Sequence, residues 1–309
     1  MFIDLHCDTI SVITHKDGYN LLDNDLQVSI NKLKKGQYLA QCFALFTFLA
    51  QENPYADTLK MLECFQKEVK KHHLNVATSV NSLDYDSVNA ILTIEDLGVI
   101  EHDLSRLEFL YNNGVRIASL TWNFKNSIAH PNKVRQKEPD NENGLTEFGI
   151  EVIKKMEELG IIIDVSHLSD KGFWDLYHHA TKPFIATHSN CRSVCNHVRN
   201  LTDDMIKAIH KVGGVMGINF ATDFICEGAK LTYVEDIIKH IDHIKEVASI
   251  EVVALGTDFD GINRTTEIDS ASDMPMLIDA LKKHGYTDEE IDLITHKNFL
   301  RVFNEVCHD

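Results

Sequence analysis

Short runs of branched and aromatic residues recur along this chain with helix-like stretches between them, and that alternation limits the fold more than any other feature. The runs are Phe2–Leu5, Leu39–Phe48, Ala90–Ile94, Val115–Leu120, Ile161–Val165, Phe184–Thr187, Val215–Phe220 and Val252–Gly256. Their continuous apolar character is that of strands buried on both faces of a parallel sheet. Between them, Phe148, Val152, Ile153, Met156 and Leu159 keep helical spacing until Gly160 stops the helix. Thr232 with Glu235 predicts a capping box opening a helix that carries Ile237, Ile238, Ile241 and Ile244 on one face. Thr287 with Glu290 predicts another, for a last helix running through Leu293, Ile294, Phe299 and Val302. Eight strands alternating with helices in 309 residues predict an α/β fold, a (β/α)8 TIM-like barrel. A doubly wound open sheet is the alternative, but no glycine-rich phosphate fingerprint follows the first run. No repeat, low-complexity tract or compositional step divides the chain, so residues 1–309 read as one domain.

Charge and composition narrow the partners. Thirty basic against 47 acidic residues give a net charge of −17, which repels nucleic acid and anionic membrane surfaces; solubility alone accounts for most of it. No apolar run approaches the roughly 20 residues of a membrane-spanning helix. The opening MFIDLHCDTI lacks the basic and long apolar segments of a secretory signal, so a cytoplasmic location is expected. Seven cysteines without an export signal predict buried thiols and no disulfide framework. Seventeen histidines are a surplus, and they point to metal or acid–base chemistry.

The polar residues at the ends of the apolar runs carry that hint further. The first run leads into Asp4, His6 and Asp8, where strand alternation projects His6 and Asp8 the same way. Glu95 ends the third, His167 follows the fifth, His188 the sixth and Asp258 the eighth. In a barrel these C-terminal strand ends converge on one mouth. A single histidine there is commonly an ordinary hydrogen-bonded residue; a whole set at C-terminal ends, with none at N-terminal ends, is hard to assign to chance. Imidazoles and carboxylates together suit zinc or another divalent first-row metal. One central carboxylate can bridge two ions, and such a pair activates a hydroxide and polarises a carbonyl. His188, Cys191, Cys195 and His197 resemble a zinc knuckle only superficially, because the spacing is tight and no second pair completes it. His72-His73 and His178-His179 read as solvated helix ends, and Cys7 as pointing away from the pocket.

Several segments together carry a resemblance. They are IDLHCDT at 3–9, GQYLAQCFALF at 36–46, TIEDLG at 93–98, GVRIASLTWN at 114–123, GLTEFGIEVIKKMEELGIIIDVSHLSD at 144–170, PFIATHSNCRSVCNHVRNLTDD at 183–204, GGVMGINF at 213–220 and ALGTDFDG at 254–261. In this order and spacing the chain resembles the renal (membrane) dipeptidase family of zinc peptidases, in particular its bacterial branch, over nearly its whole length. The resemblance implies two zinc ions at the barrel mouth, with His6 and Asp8 on the first, His167 and His188 completing the second, and Glu95 bridging both as a catalytic residue. It implies that Arg199 grips the terminal carboxylate of a dipeptide substrate, a task for a guanidinium fork, and that Asp258 is the acid/base. It further implies cleavage of L-L and of some L-D dipeptides by a zinc-activated bridging hydroxide, and a homodimer. One departure stands out: where many members have Leu-Thr-His, with the histidine near the scissile carbonyl, this chain has Leu120-Thr121-Trp122. Indole offers one N–H and no positive charge, so Trp122 bears on substrate range, and Asn123 and Asn126 are the nearby candidates for substitute donors. The same barrel also supports other amidohydrolase-like reactions, such as lactone or N-acyl amino acid hydrolysis. A non-catalytic metal-binding homologue would be marked by a lost ligand or a lost Asp258, and this chain has kept them all.

Overall fold

A computed structural model describes residues 1–263 and 265–308. Its strands are β1 (Phe2–Asp4), β2 (Tyr38–Phe46), β3 (Asn75–Val76), β4 (Asn89–Glu95), β5 (Val115–Ser119), β6 (Ile162–Asp164), β7 (Met216–Ile218) and β8 (Val253–Leu255). They pair in parallel, in the order β6-β5-β4-β2-β1-β8-β7, with β3 added beside β4. The fold is mixed α/β with a parallel, curled sheet. Its helices are α1 (Thr9–His15), α2 (Ile30–Lys35), α3 (Pro54–His72), α4 (Leu104–Asn112), α5 (Glu147–Leu159), α6 (Asp170–His179), α7 (Asp203–Lys211), α8 (Thr222–Ile225), α9 (Val234–Val247), α10 (Pro275–His284), α11 (Asp288–Asp292) and α12 (Asn298–Val306).

One expected strand is cut short. Phe184–Thr187 contributes only single bridges, Ile185 to Asp164 of β6 and Ala186 to Met216 of β7. After Ala186 the chain leaves the sheet and crosses close above its neighbours. A Cβ on Gly217 would lie 2.0 Å from the Thr187 carbonyl oxygen, and one on Gly256 only 1.7 Å from it. Only glycine at both positions allows that approach, and the crossing brings His188 over to His6, with ring centroids 4.0 Å apart. The short β3 lacks any apolar run and was not expected.

Two apolar layers follow from strand alternation. Ile3, Ala40, Ile91, Ile117, Ile162, Ile185, Val215 and Ala254 form a buried cluster closed by Phe299, Val302, Phe303 and Val306 of α12. The opposite faces, including Leu92, Ile94, Ile163, Met216 and Leu255, pack against the surrounding helices. Each fully buried side chain of this kind contributes about 2 kcal/mol. Two or four residues beyond the inner layer the same inward positions turn polar: Thr93 and Glu95 after Ile91, Asp164 after Ile162, Thr187 after Ile185, Asp258 after Ala254. One end of the sheet is thus plugged by a helix, and the other is lined by groups that can do chemistry.

Helix ends match the sequence in two of three cases. Gly160 ends α5 in the left-handed region with φ 81°, and Thr287 and Glu290 cap α11 reciprocally. The box expected at Thr232 is displaced by one residue: α9 starts at Val234, and the Asp236 carboxylate accepts from Tyr233 N–H. Thr232 instead pairs with Thr266 in a bridge, so its backbone is spent on the β8–α10 loop. All seven cysteines are free thiols. Among the described residues, no helix is long and apolar enough to cross a membrane.

Candidate metal centre

The strand ends bring the expected residues together. His6 lies just past β1, while Asp8 has left the strand and stands at the N-terminus of α1. Glu95 ends β4. His167 sits in the turn after β6 with φ 71°, and Asp258 in the turn after β8 with φ 63°. Left-handed backbone at residues other than glycine costs about 1–3 kcal/mol and persists where the surroundings enforce it.

Glu95 is the centre of the cluster. Its Oε2 faces His6 Nε2 at 3.5 Å; its Oε1 faces His167 Nε2 at 3.0 Å and His188 Nε2 at 3.6 Å. His6 Nε2 is also 3.5 Å from Asp8 Oδ2 and 3.8 Å from Asp258 Oδ1. The imidazole nitrogens of His167 and His188 meet at 3.1 Å. Donors bound to one tetrahedral zinc at 2.0–2.1 Å stand about 3.3 Å apart, so this spacing is that of polyhedron edges. Fully buried Asp8 Oδ1 and His6 Nε2 have no hydrogen-bond partner among the described residues. His6, Glu95 and His188, and separately His6, Asp8 and Asp258, offer ligand atoms within 4.8 Å of one another. The donor set fits divalent metal.

Two buried aspartates at the strand ends, Asp4 and Asp164, to which the sequence alone assigns no role, fix the ligands from beneath. Asp4 Oδ1 accepts from Thr257 N–H (2.8 Å) and His6 N–H (3.3 Å), and its Oδ2 from Thr257 Oγ1 (2.7 Å). Asp164 repeats the pattern, with Oδ1 accepting from Ser166 N–H (2.9 Å) and Thr187 N–H (2.8 Å) and Oδ2 from Thr187 Oγ1 (2.6 Å). Because the Thr187 hydroxyl donates to Asp164, its lone pair accepts from His188 Nδ1–H at 2.8 Å. That leaves His188 Nε2 unprotonated and facing Glu95, as a metal ligand must be. The sequence carried a signal in its paired Thr187-His188 and Thr257-Asp258. Asp258 has a further partner in Asn219, whose Nδ2 donates to Oδ2 at 2.9 Å while its own Oδ1 accepts from Ala221 N–H.

The electrostatics divide the site. Burial opposes charge on His6, but Glu95 and Asp8 more than offset it and raise its pKa well above the ordinary value. Burial lowers His167 to about 4, with Arg199 adding to the effect, and pushes His188 well down. Burial raises Asp258 to about 7, reinforced by Asp8 and Glu95.

A cavity of about 790 Å³ opens above the cluster, lined by Asp8, Glu95, His167 and Asp258 and by Phe46, Trp122, Asn123, Val134 and Phe224 among others. Trp122 packs edge-on against Phe46 at 4.8 Å and Phe48 at 6.1 Å, so it offers an apolar wall. Asn123 lines the cavity, its Oδ1 accepting from Val134 N–H. Asn126 does not serve as a substitute donor: Nδ2 donates to Asp96 and the Leu120 carbonyl, and Oδ1 accepts from Ile128 and Ala129. Its amide is consumed by the turn. Arg199 is 3% exposed, its guanidinium 5.6 Å from the ring of Phe224, which lines the cavity. Among the described residues its Nε has no hydrogen-bond partner and Nη2 reaches the His188 carbonyl at 3.5 Å. The knuckle-like residues do not converge: Cys191 and Cys195 thiols point to the His240 and Asp223 carbonyls and His197 to that of Val134. His178 and His179 are exposed, but His72 leans on Glu68 at 3.4 Å and is mostly buried. Cys7 is buried among the helix-facing apolar residues.

The model of the family described as membrane dipeptidase (peptidase family M19) matches residues 1–308. The chain is 37% identical over 235 residues to an uncharacterised protein in the pqqA 5′ region of Klebsiella pneumoniae, covering 74% of this chain and 87% of that one. It is 31% identical over 298 residues to an uncharacterised dipeptidase of Schizosaccharomyces pombe, covering 89% and 71%. Its fold superimposes with a TM-score of 0.93, at 24% identity and over 99% of both chains, on a metallo peptidase from Rhodobacter sphaeroides solved with a phosphinate mimic of the dipeptide L-Ala-D-Ala.

Proposed function

The chain belongs to the membrane dipeptidase family, and from that premise we propose that it is a zinc dipeptidase working at the mouth of a single closed (β/α)8 barrel. Closure is supported by the bridges of Ile185 and Ala186, which link β6 to β7 across the one gap in the strand order. His6 and Asp8 would hold one ion, His167 and His188 a second, and Glu95 would span them, one oxygen to each side. Ions held there would polarise the scissile carbonyl and bring the pKa of water toward neutrality.

The chain's own residues supply the rest. Asn219 fixes Oδ2 of Asp258 and leaves Oδ1 toward His6, so Asp258 is placed to take the water's proton and return it to the leaving amine. Arg199 holds the substrate's terminal carboxylate. The observation that carries this reading is its buried guanidinium without a carboxylate partner among the described residues. Burial lowers its pKa only to about 10, so it remains charged, and a buried unpaired charge is a standing demand for an anion. Trp122 and Asn123 line the space left for the substrate's remaining atoms.

The test is release of amino acids from L-L and L-D dipeptides by zinc-loaded protein, with a chelated control. Expected are chelator-sensitive cleavage, no cleavage of tripeptides or C-terminal amides, and a loss of at least about a thousandfold in Asp258→Asn with metal retained. Metal-loaded protein that leaves every dipeptide intact overturns the reading.

A further inference from the structure

Arg199 sits in an irregular segment, residues 198–200, that belongs to no helix or strand. A loop of this kind does not by itself hold a guanidinium to the roughly 0.5 Å that substrate positioning demands. A second arginine does. Arg192 Nε donates to the Asn200 carbonyl at 2.8 Å and Nη2 to the Val198 carbonyl at 3.0 Å, the residues on either side of Arg199. Its Nη1 and Nη2 also grip the Asp170 carboxylate as a fork, at 2.6 and 2.8 Å.

Asp170 opens α6, three residues after His167. Asn132 closes the network: its Nδ2 donates to Asp170 Oδ1 at 2.7 Å and to the Val198 carbonyl at 3.0 Å, and its backbone N–H to the His167 carbonyl at 2.8 Å. An unbroken path of hydrogen bonds therefore runs from a metal ligand to both flanks of Arg199. We propose that Arg192, braced by Asp170, is a positioning residue that fixes the distance between the carboxylate clamp and the metal ligands. The inference rests on the role given to Arg199 above.

Lysine cannot reproduce this arrangement, because one ammonium cannot hold a carboxylate fork and two carbonyls together. The experiment compares wild type, Arg192→Lys, Asp170→Asn and Arg199→Met with L-alanyl-L-alanine as substrate, measuring KM, kcat, bound metal and melting temperature. Arg192→Lys is expected to raise KM tenfold or more with kcat within about threefold and metal content unchanged, and Asp170→Asn to do the same more weakly. A folded Arg192→Lys enzyme with wild-type KM overturns the inference, whether its melting temperature or its metal content has fallen or not. If Arg199→Met itself leaves KM unchanged, the reading of Arg199 fails and this inference with it. If Arg199→Met raises KM and Arg192→Lys does not, the inference alone fails.

Discussion

The two sides of the mouth rest on the same aspartate device and are built by opposite means. On the β1/β8 side Asp4 ties Thr257 to the strand that leads into His6 and Asp8; on the β6 side Asp164 ties Thr187 to the strand that leads into His167. The β1/β8 side is rich in carboxylates, and it is shaped by left-handed turn residues, Asp258 and Asp260, as the β6 side is at His167 alone among its ligands. The β6 side is rich in imidazole, and its shape comes from main chain laid directly on main chain, the Thr187 carbonyl over Gly217 and Gly256. One side can yield by rotating side chains, whereas the other can yield only by moving backbone.

Paired glycine substitutions test that contrast most severely. In Gly256→Ala the new Cβ meets the Thr187 backbone, which has nowhere to go, and the metal-free protein should lose about 3 kcal/mol or more in denaturant unfolding. In Gly261→Ala the Cβ meets Asp8 Oδ2 at 2.1 Å and Asp258 Oδ1 at 2.6 Å. Those contacts are side-chain ends, which can shift where backbone cannot even with Asn219 held on Asp258, so metal-free stability should change by less than about 1 kcal/mol while activity and metal binding on that side are lost. Equal stabilities for the two variants would erase the distinction.

The aspartates separate the sides more gently. Asp164→Asn places an amide N–H against the Thr187 hydroxyl, which can then no longer both donate downward and accept from His188. Zinc affinity, measured by chelator competition, should fall about 10–100-fold. Asp4→Asn has no imidazole above it, since among the described residues Thr257 Oγ1 accepts from Phe259 N–H alone, and affinity should hold within about threefold.

The smallest effect is in the pH dependence of the metal-free protein. His167, lowered from 6.5 to about 4, favours its neutral form, so its share of stability is complete above pH 6.5 and is lost as pH falls toward 4. Asp258, raised from 3.8 to about 7, runs the other way: its share is complete below pH 3.8 and is lost as pH rises through 7. Melting curves from pH 4 to 8 should show His167→Asn flattening the acid limb and Asp258→Asn the neutral limb, each by a few degrees. Limbs unchanged by both substitutions would mean that the two sides do not differ in charge preference.

Much of this was legible in residue order. Continuous apolar runs marked seven named strands, and the ligand-type residues were visible because each follows such a run. The sixth run was legible as apolar but not as cut short, because the cause lies in glycines about 30 and 70 residues further on. Asn126 looked like a free donor because the sequence does not show that its turn consumes the amide. Thr232 looked like a cap because its backbone partner lies in another loop, at Thr266.

Alternation along each strand therefore determined which side chains face inward and of what chemical kind they are, since that depends on neighbours two residues apart. Curling the sheet decided which of them meet: Glu95 between the two sides, Arg192 spent on Asp170, and Arg199 without a direct carboxylate partner among the described residues. Those outcomes depend on distances between residues far apart in the chain, and only tertiary packing sets them.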